Sequence, residues 1–360
     1  MSDFLNARLP DGRRVTIQIE NGHFSGFADA VPGGVAAPDA RDLGDLLVLP
    51  ALVDSHVHLD KTFLGLPWRP HQAGPSVKER IAAERDGRAA LDLPVEARAR
   101  VMLEQALSHG TTALRCHVDI DPDSKLDHLS QVMAACDAFS GRIDVQLVAF
   151  PQSGLCSAPG VHDLMDAALS DGAEIVGGID PIGIDGDLDG HLDAIFGLAE
   201  KHNAGIDIHL HDPGHRGALE LRDIAARTLA SGLGGRVMVS HAFALSTVDD
   251  RTLDLTLAEL AEAGVAIMTA VPGPIPMLPV ARIREAGVVI CAGSDNVRDA
   301  WSPFGNADML ERAMLVAYRC GFRTDEGLAI ALDLATGAAA QAIGLGMWGL
   351  EIGGGCPARC

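Results

Sequence analysis

Basic side chains are scarce in this sequence: 28 Lys and Arg stand against 49 Asp and Glu, a formal net charge of −21. Such an acidic chain repels phosphate backbones and anionic lipid surfaces. Nucleic acid and membranes are therefore poor partners, and a small uncharged or cationic substrate is easier to admit. Long apolar runs are missing as well. No stretch reaches the ~18 consecutive apolar residues of a membrane span, and Met1 to Pro10 has neither the basic start nor the apolar core of a signal peptide. The seven cysteines include no CxxC pair, and their odd number argues against a disulfide framework. A reducing cytoplasm is the expected location. Absent too are the P-loop lysine motif, HExxH and the GxSxG nucleophile elbow. Gly344 to Gly349 does match GxGxxG, but it follows an alanine-rich helix instead of joining a strand to a helix, which speaks against a nucleotide site.

What is present is 48% hydrophobic and 21% charged residues over 360 positions, enough for one large globular domain with an appendage. Residues 1–49 read as short strands with turns at Pro10-Asp11-Gly12, Glu20-Asn21-Gly22 and Pro32-Gly33-Gly34, the N-terminal part of a small β unit. From residue 46 apolar β-type runs alternate with helical stretches. Eight runs are expected as strands: Leu46–Asp60, Thr111–Ile120, Asp144–Gln152, Ile175–Pro181, Gly205–Asp212, Arg236–Ala242, Val265–Val271 and Val288–Asp295. The gaps hold candidate helices such as Val95–Leu107 and Leu192–Lys201. Apolar strands separated by helices indicate a parallel sheet covered on its faces. Eight units suggest a closed (β/α)8 barrel of the TIM type over residues 50–340, with residues 341–360 returning toward the β unit. An open, doubly wound sheet is the alternative, because strand order cannot be read from periodicity.

Ionisable residues gather at the C-terminal ends of these runs, where a barrel places its ligand-binding crater. His56-Val57-His58 is the sharpest signal, since strand side chains repeat every two residues and both imidazoles should project to one side. Downstream stand His117, Gln152, Asp180, His209 with Asp212, His241 and Asp295. Buried imidazoles and carboxylates need partners. One shared metal satisfies several, and histidine with carboxylate suits zinc, iron or a similar divalent ion. His209 and His211 repeat the spacing of the first pair, and His209 is the favoured ligand. His241 is either a fourth nitrogen ligand or a non-ligating base beside the bound water. Asp295 is the best candidate to touch the metal and take the water proton, while Asp54 and Asp60 read as capping or ligand-orienting groups.

These segments resemble the amidohydrolase superfamily, and within it the cytosine deaminase-like branch. Pro50 to Asp60 resembles the first-strand HxH motif and Val148 to Gln152 a third-strand substrate-binding segment. His209 to Asp212, Ser240-His241 and Ser294 to Gly305 are similar to the fifth-, sixth- and eighth-strand motifs. The resemblance implies one divalent ion, Zn2+ or Fe2+, held by His56, His58, His209 and Asp295, with His241 polarising the attacking water. It also implies that Gln152 bonds the ring edge and Trp301 walls the pocket. Two positions depart from the pattern. Asp212 stands where cytosine deaminases carry a longer glutamate that shuttles a proton. Asn296 stands where an aspartate is common, and it offers both a donor and an acceptor.

The expected activity is that of a metal-dependent hydrolase acting on a non-peptide C–N bond. The metal lowers the pKa of its water, the hydroxide attacks an electron-poor ring carbon, Asp295 takes the proton, and Asp212 passes one to the ring nitrogen. A cytosine-like or related nitrogen heterocycle is the leading substrate. Ring opening of a cyclic amide or removal of an alkylamine from a triazine-like ring is the alternative within enzymes. Outside them stands a catalytically inactive metal-binding remnant, which the abrupt, strandless end Gly354 to Cys360 and its unfinished β-sandwich unit would favour. A homo-oligomer is compatible with the chain.

Overall fold

The computed structural model describes residues 3–20, 23–29, 39–71, 74–88, 90–273 and 275–346. The expected turn at 32–34 and the C-terminal segment 347–360, including the expected strandless end, lie outside the described residues. Near the N-terminus, β1 (Phe4–Arg8), β2 (Arg14–Glu20), β3 (His23–Asp29) and β4 (Arg41–Asp42) form one sheet in the order β3-β2-β1-β4. The first three strands pair antiparallel, β1 with β2 and β2 with β3, and β4 runs parallel to β1. Ala7, Leu9, Val15 and Ile17 form its small core.

The eight apolar runs supply the second sheet: β5 (Leu52–Val57), β6 (Thr111–Asp119), β7 (Asp144–Phe150), β8 (Ile175–Ile179), β9 (Gly205–His209), β10 (Val237–Ser240), β11 (Val265–Thr269) and β12 (Ile290–Ala292). Every pairing is parallel and neighbours follow chain order, so the doubly wound alternative is excluded. The seam closes between β5 and the segment after β12. There the Asp295 N–H donates to the His56 carbonyl at 2.8 Å, and the Ser55 hydroxyl donates to the Ala292 carbonyl at 2.9 Å. Gly293 makes this closure possible, because a Cβ there would lie 2.6 Å from His56 Cβ and 2.7 Å from its carbonyl oxygen.

Period-two alternation sorts the strand residues. On β6, Leu114, Cys116 and Val118 pack outward against helices, while Ala113 faces a lumen cluster with Met238, Met268 and Cys291. The short helix Gly337–Ala342 plugs that lumen with Ala339 and Ala340. Outer helices such as Gly214–Ser231 and Asp250–Ala263 begin and end at recognisable signals. Asp249 caps the latter by accepting the Thr252 N–H at 3.1 Å, and Gly264 ends it in the left-handed region. No helix among the described residues is long and apolar enough to cross a membrane.

Candidate functional site

The site is built on a break in the pleat of β5. Between Asp54 and Val57 that strand spends three steps while β6 spends two, from Leu114 to Cys116. Such a bulge reverses the side-chain phase. Val53 packs in the lumen, yet Val57 points to the outer helices, so His56 and His58 turn inward at the crater. Asp54 spans the seam at this point, accepting the N–H groups of Ser294 at 2.9 Å and His56 at 3.3 Å.

His56, His58, His209, His241 and Asp295 come together as expected. The His56 and His209 ring centroids are 4.5 Å apart, and those of His209 and His241 are 5.1 Å apart. Asp295 Oδ1 stands 3.6 Å from His56 Nε2 and 3.4 Å from His58 Nε2, and the Nε2 atoms of His58 and His209 are 3.4 Å apart. Donors bonded to one zinc at about 2.1 Å and tetrahedral angles lie about 3.4 Å from each other. The spacing therefore fits a single divalent ion.

Hydrogen bonds on the far side of each ring support that fit. His58 Nδ1 lies 3.2 Å from the His117 carbonyl, which can only accept, so the proton sits on Nδ1 and the Nε2 lone pair is free. His56 Nδ1 lies 2.9 Å from Ser240 Oγ, which in turn donates to Asp207 Oδ1 at 2.8 Å. The Nε2 atoms of His56 and His241 are buried without a partner. Burial, reinforced by the neighbouring imidazoles, holds His56 and His209 well below the usual histidine range. Burial and then His211 push His241 down to about 3. These rings are neutral, as ligands must be. Burial opposes ionisation of Asp295, but the imidazoles that face it, His241 first, hold its carboxyl well below the usual range. His241 and Asp295 also sit at φ of 72° and 56°, left-handed conformations that store strain at a site.

A second triad, His56, His117 and Asp207, has metal-ligand spacing too. Its carboxylate is already committed to Arg115 at 2.9 Å and to Ser240, which makes it a support for His56.

His211 shares the face of His209 and stacks on His241 with centroids 4.5 Å apart. Its Nδ1 is 2.8 Å from Asp180 Oδ2. Although burial opposes it, Asp180 raises the His211 pKa and favours an imidazolium. Asp212 falls on the other phase. Its carboxylate lies beside Gly183, Arg216 at 3.3 Å, and Glu220. Burial, then Asp212 and Asp180, push Glu220 up to about 8, so this carboxyl pair holds a proton at neutral pH.

Gln152 and Trp301 stand together in the wall beside the cluster, joined by residues that the motifs did not single out. The Gln152 amide donates to Glu84 at 3.0 Å and to Asp119 at 3.2 Å, and its oxygen accepts from Lys61. Lys61, itself buried, pairs with Asp119 at 3.1 Å and Glu84 at 3.5 Å. Trp301 joins Ile81, Phe150 and Ile179 in an apolar patch, and Phe150 stacks on His209 at 4.0 Å. Asn296 donates to Asp299 at 2.7 Å. Asp60 accepts from His128 and from the Asp119 N–H, away from the ligand imidazoles. A signal for part of this wall existed: Arg115, His117 and Asp119 alternate along a run that is otherwise apolar.

Comparison with known proteins shows the family and the fold. The amidohydrolase family profile matches residues 39–358. N-isopropylammelide isopropyl amidohydrolase of Pseudomonas sp. strain ADP is 32% identical over 320 residues, 88% of this chain and 79% of that protein. The crystal structure of N-isopropylammelide isopropylaminohydrolase from Burkholderia multivorans superposes with a TM-score of 0.92 at 38% identity, covering 99% of this chain and 89% of the other. That of 5-methylcytosine deaminase from Klebsiella pneumoniae, liganded with 5-fluorocytosine, gives 0.84 at 26% identity, covering 98% and 89%.

Proposed function

Since this chain belongs to the amidohydrolase family, we propose that it hydrolyses the C–N bond joining an exocyclic amino or alkylamino group to an oxo-bearing nitrogen heterocycle. The observation that carries the reading is the convergence of His56, His58, His209 and Asp295 at ligand spacing, 3.4–3.6 Å between the measured pairs. These four residues would hold one divalent ion, zinc or iron. Such an ion supplies Lewis acidity and lowers the pKa of water.

The chain's own groups handle the rest. Asp295, held ionised, accepts the proton of the attacking water. His241, neutral and with a bare Nε2, accepts a hydrogen bond from that water and orients it. As the oxygen–carbon bond forms and the carbon–nitrogen bond breaks, a proton must reach the departing amine. His211, charged against Asp180, shares the cluster's face and can donate one. That part is assigned to His211 in place of Asp212, whose carboxylate is partnered by Arg216, Glu220 and the Gly183 segment. The Asn296 amide donates to Asp299, leaving its oxygen to accept from a ring N–H.

Loss of ammonia from a cytosine-like ring and loss of an alkylamine from a triazine-like ring differ in ring and leaving group but share the same hydrolytic step. The higher identity to the isopropylammelide hydrolases favours the second. The test is amine and ammonia release by zinc- or iron-loaded protein from N-isopropylammelide, 5-methylcytosine and cytosine. Turnover of the first above the other two is expected. No release from any of the three by metal-replete protein would overturn the reading and favour the inactive remnant.

A further inference from the structure

Helix Val77–Arg88 crosses the crater rim and buries two residues there, Ile81 and Glu84. Ile81 joins the apolar patch of Phe150, Ile179 and Trp301. A carboxylate on the same face is unexpected, because an ionised acid only 7% exposed must be fully partnered. Glu84 is partnered by three loops at once. Its Oε2 accepts from Gln152 Nε2 at 3.0 Å, after β7, and from Trp301 Nε1, after β12. The same oxygen lies 3.5 Å from Lys61 Nζ, after β5, while Oε1 accepts from Arg88 at 3.3 Å.

The consequence falls on groups that face the substrate. An amide can be turned end for end unless both ends are specified. Here both Gln152 N–H bonds end on carboxylates, Glu84 and Asp119, and its oxygen ends on Lys61. The Trp301 indole is likewise pinned at its nitrogen while its ring packs on Ile81. Glu84 and Asp119 face Lys61 and Arg88 across this wall, and Arg88 pairs with Asp121 as well.

We propose that Glu84 is a positioning residue that fixes Gln152, Lys61 and Trp301 as one recognition wall and thereby governs substrate binding rather than the chemical step. This rests on the hydrolase reading for its kinetic arm only.

The test pairs E84Q with E84D, which keeps the charge but shortens the reach. Protein labelled with 15N-tryptophan shows three indole signals, and W301F identifies that of Trp301. In E84Q the Trp301 signal should move upfield and exchange faster with solvent while the other two stay. In E84D it should do so partially. With N-isopropylammelide, KM should rise about tenfold in E84Q with kcat within threefold and metal content unchanged. An unmoved, still protected Trp301 indole in both variants would overturn the proposal, as would a fall in kcat at constant KM. The indole arm decides the positioning even if wild type turns over none of the test compounds, so the two readings fail separately.

Discussion

Ser240→Ala deletes one hydroxyl that touches no ligand atom, and it should still weaken the metal site. In the native chain Ser240 Oγ lies 2.9 Å from His56 Nδ1 and donates to Asp207 Oδ1 at 2.8 Å, all fully buried. Alanine fits the space but leaves the His56 Nδ1–H without an acceptor and Asp207 with one donor fewer, although Arg115 still holds its other oxygen at 2.9 Å. Losing a neutral bond costs about 1 kcal/mol and one to a charged group about 1.5–3 kcal/mol, so the fold should lose roughly 2–4 kcal/mol. The ring of His56 also loses the contact that sets its tautomer and orientation. Groups that orient a ligand in this way contribute about 10–100-fold in metal affinity. Chelator competition on the folded variant reads that affinity, and chemical denaturation reads the stability. An affinity within twofold of wild type would refute the reasoning, because it would mean that His56 needs no support or is not a ligand.

Asp295→Asn should abolish turnover while leaving far-UV circular dichroism native, since the amide can keep polar contacts but cannot take a proton; wild-type activity in that variant would remove Asp295 from the mechanism. Glu220 gives a pH signature. Its folded pKa is raised from 4.5 to about 8, so its stabilising contribution is complete below pH 4.5 and is lost as pH climbs through 8. Glu220→Gln should therefore match wild type near pH 4.5 and exceed it near pH 9, with a slope of at most about 1.4 kcal/mol per pH unit between, read as the difference in thermal midpoints. A constant difference across that range would show that Glu220 titrates normally.

The barrel was legible because its strands are buried on both faces and its polar residues collect where they end. All eight expected runs contain a strand, and the ends carrying His56, His58, His209, His241 and Asp295 meet. Other features were hidden by the limits of periodicity. A one-residue bulge at Asp54 to Val57 changes the phase of β5, which no repeat of two can reveal. Phase also separates His211 from Asp212: two residues on from His209 keeps the lumen face, three leaves it. Glu84 and Arg88 are not legible because a polar helix reads as solvated until the tertiary structure folds it over buried carboxylates. Closure of the barrel depends on the close approach at Gly293, which periodicity does not reveal.

The mechanism depends on a single divalent ion gripped by residues from three separate strand ends. Anomalous diffraction at the zinc and iron edges, from crystals of metal-replete protein, tests it most directly. One peak is expected within about 2.0–2.3 Å of the Nε2 atoms of His56, His58 and His209 and of a carboxylate oxygen of Asp295. A peak elsewhere, or none in protein shown to be loaded, would contradict it.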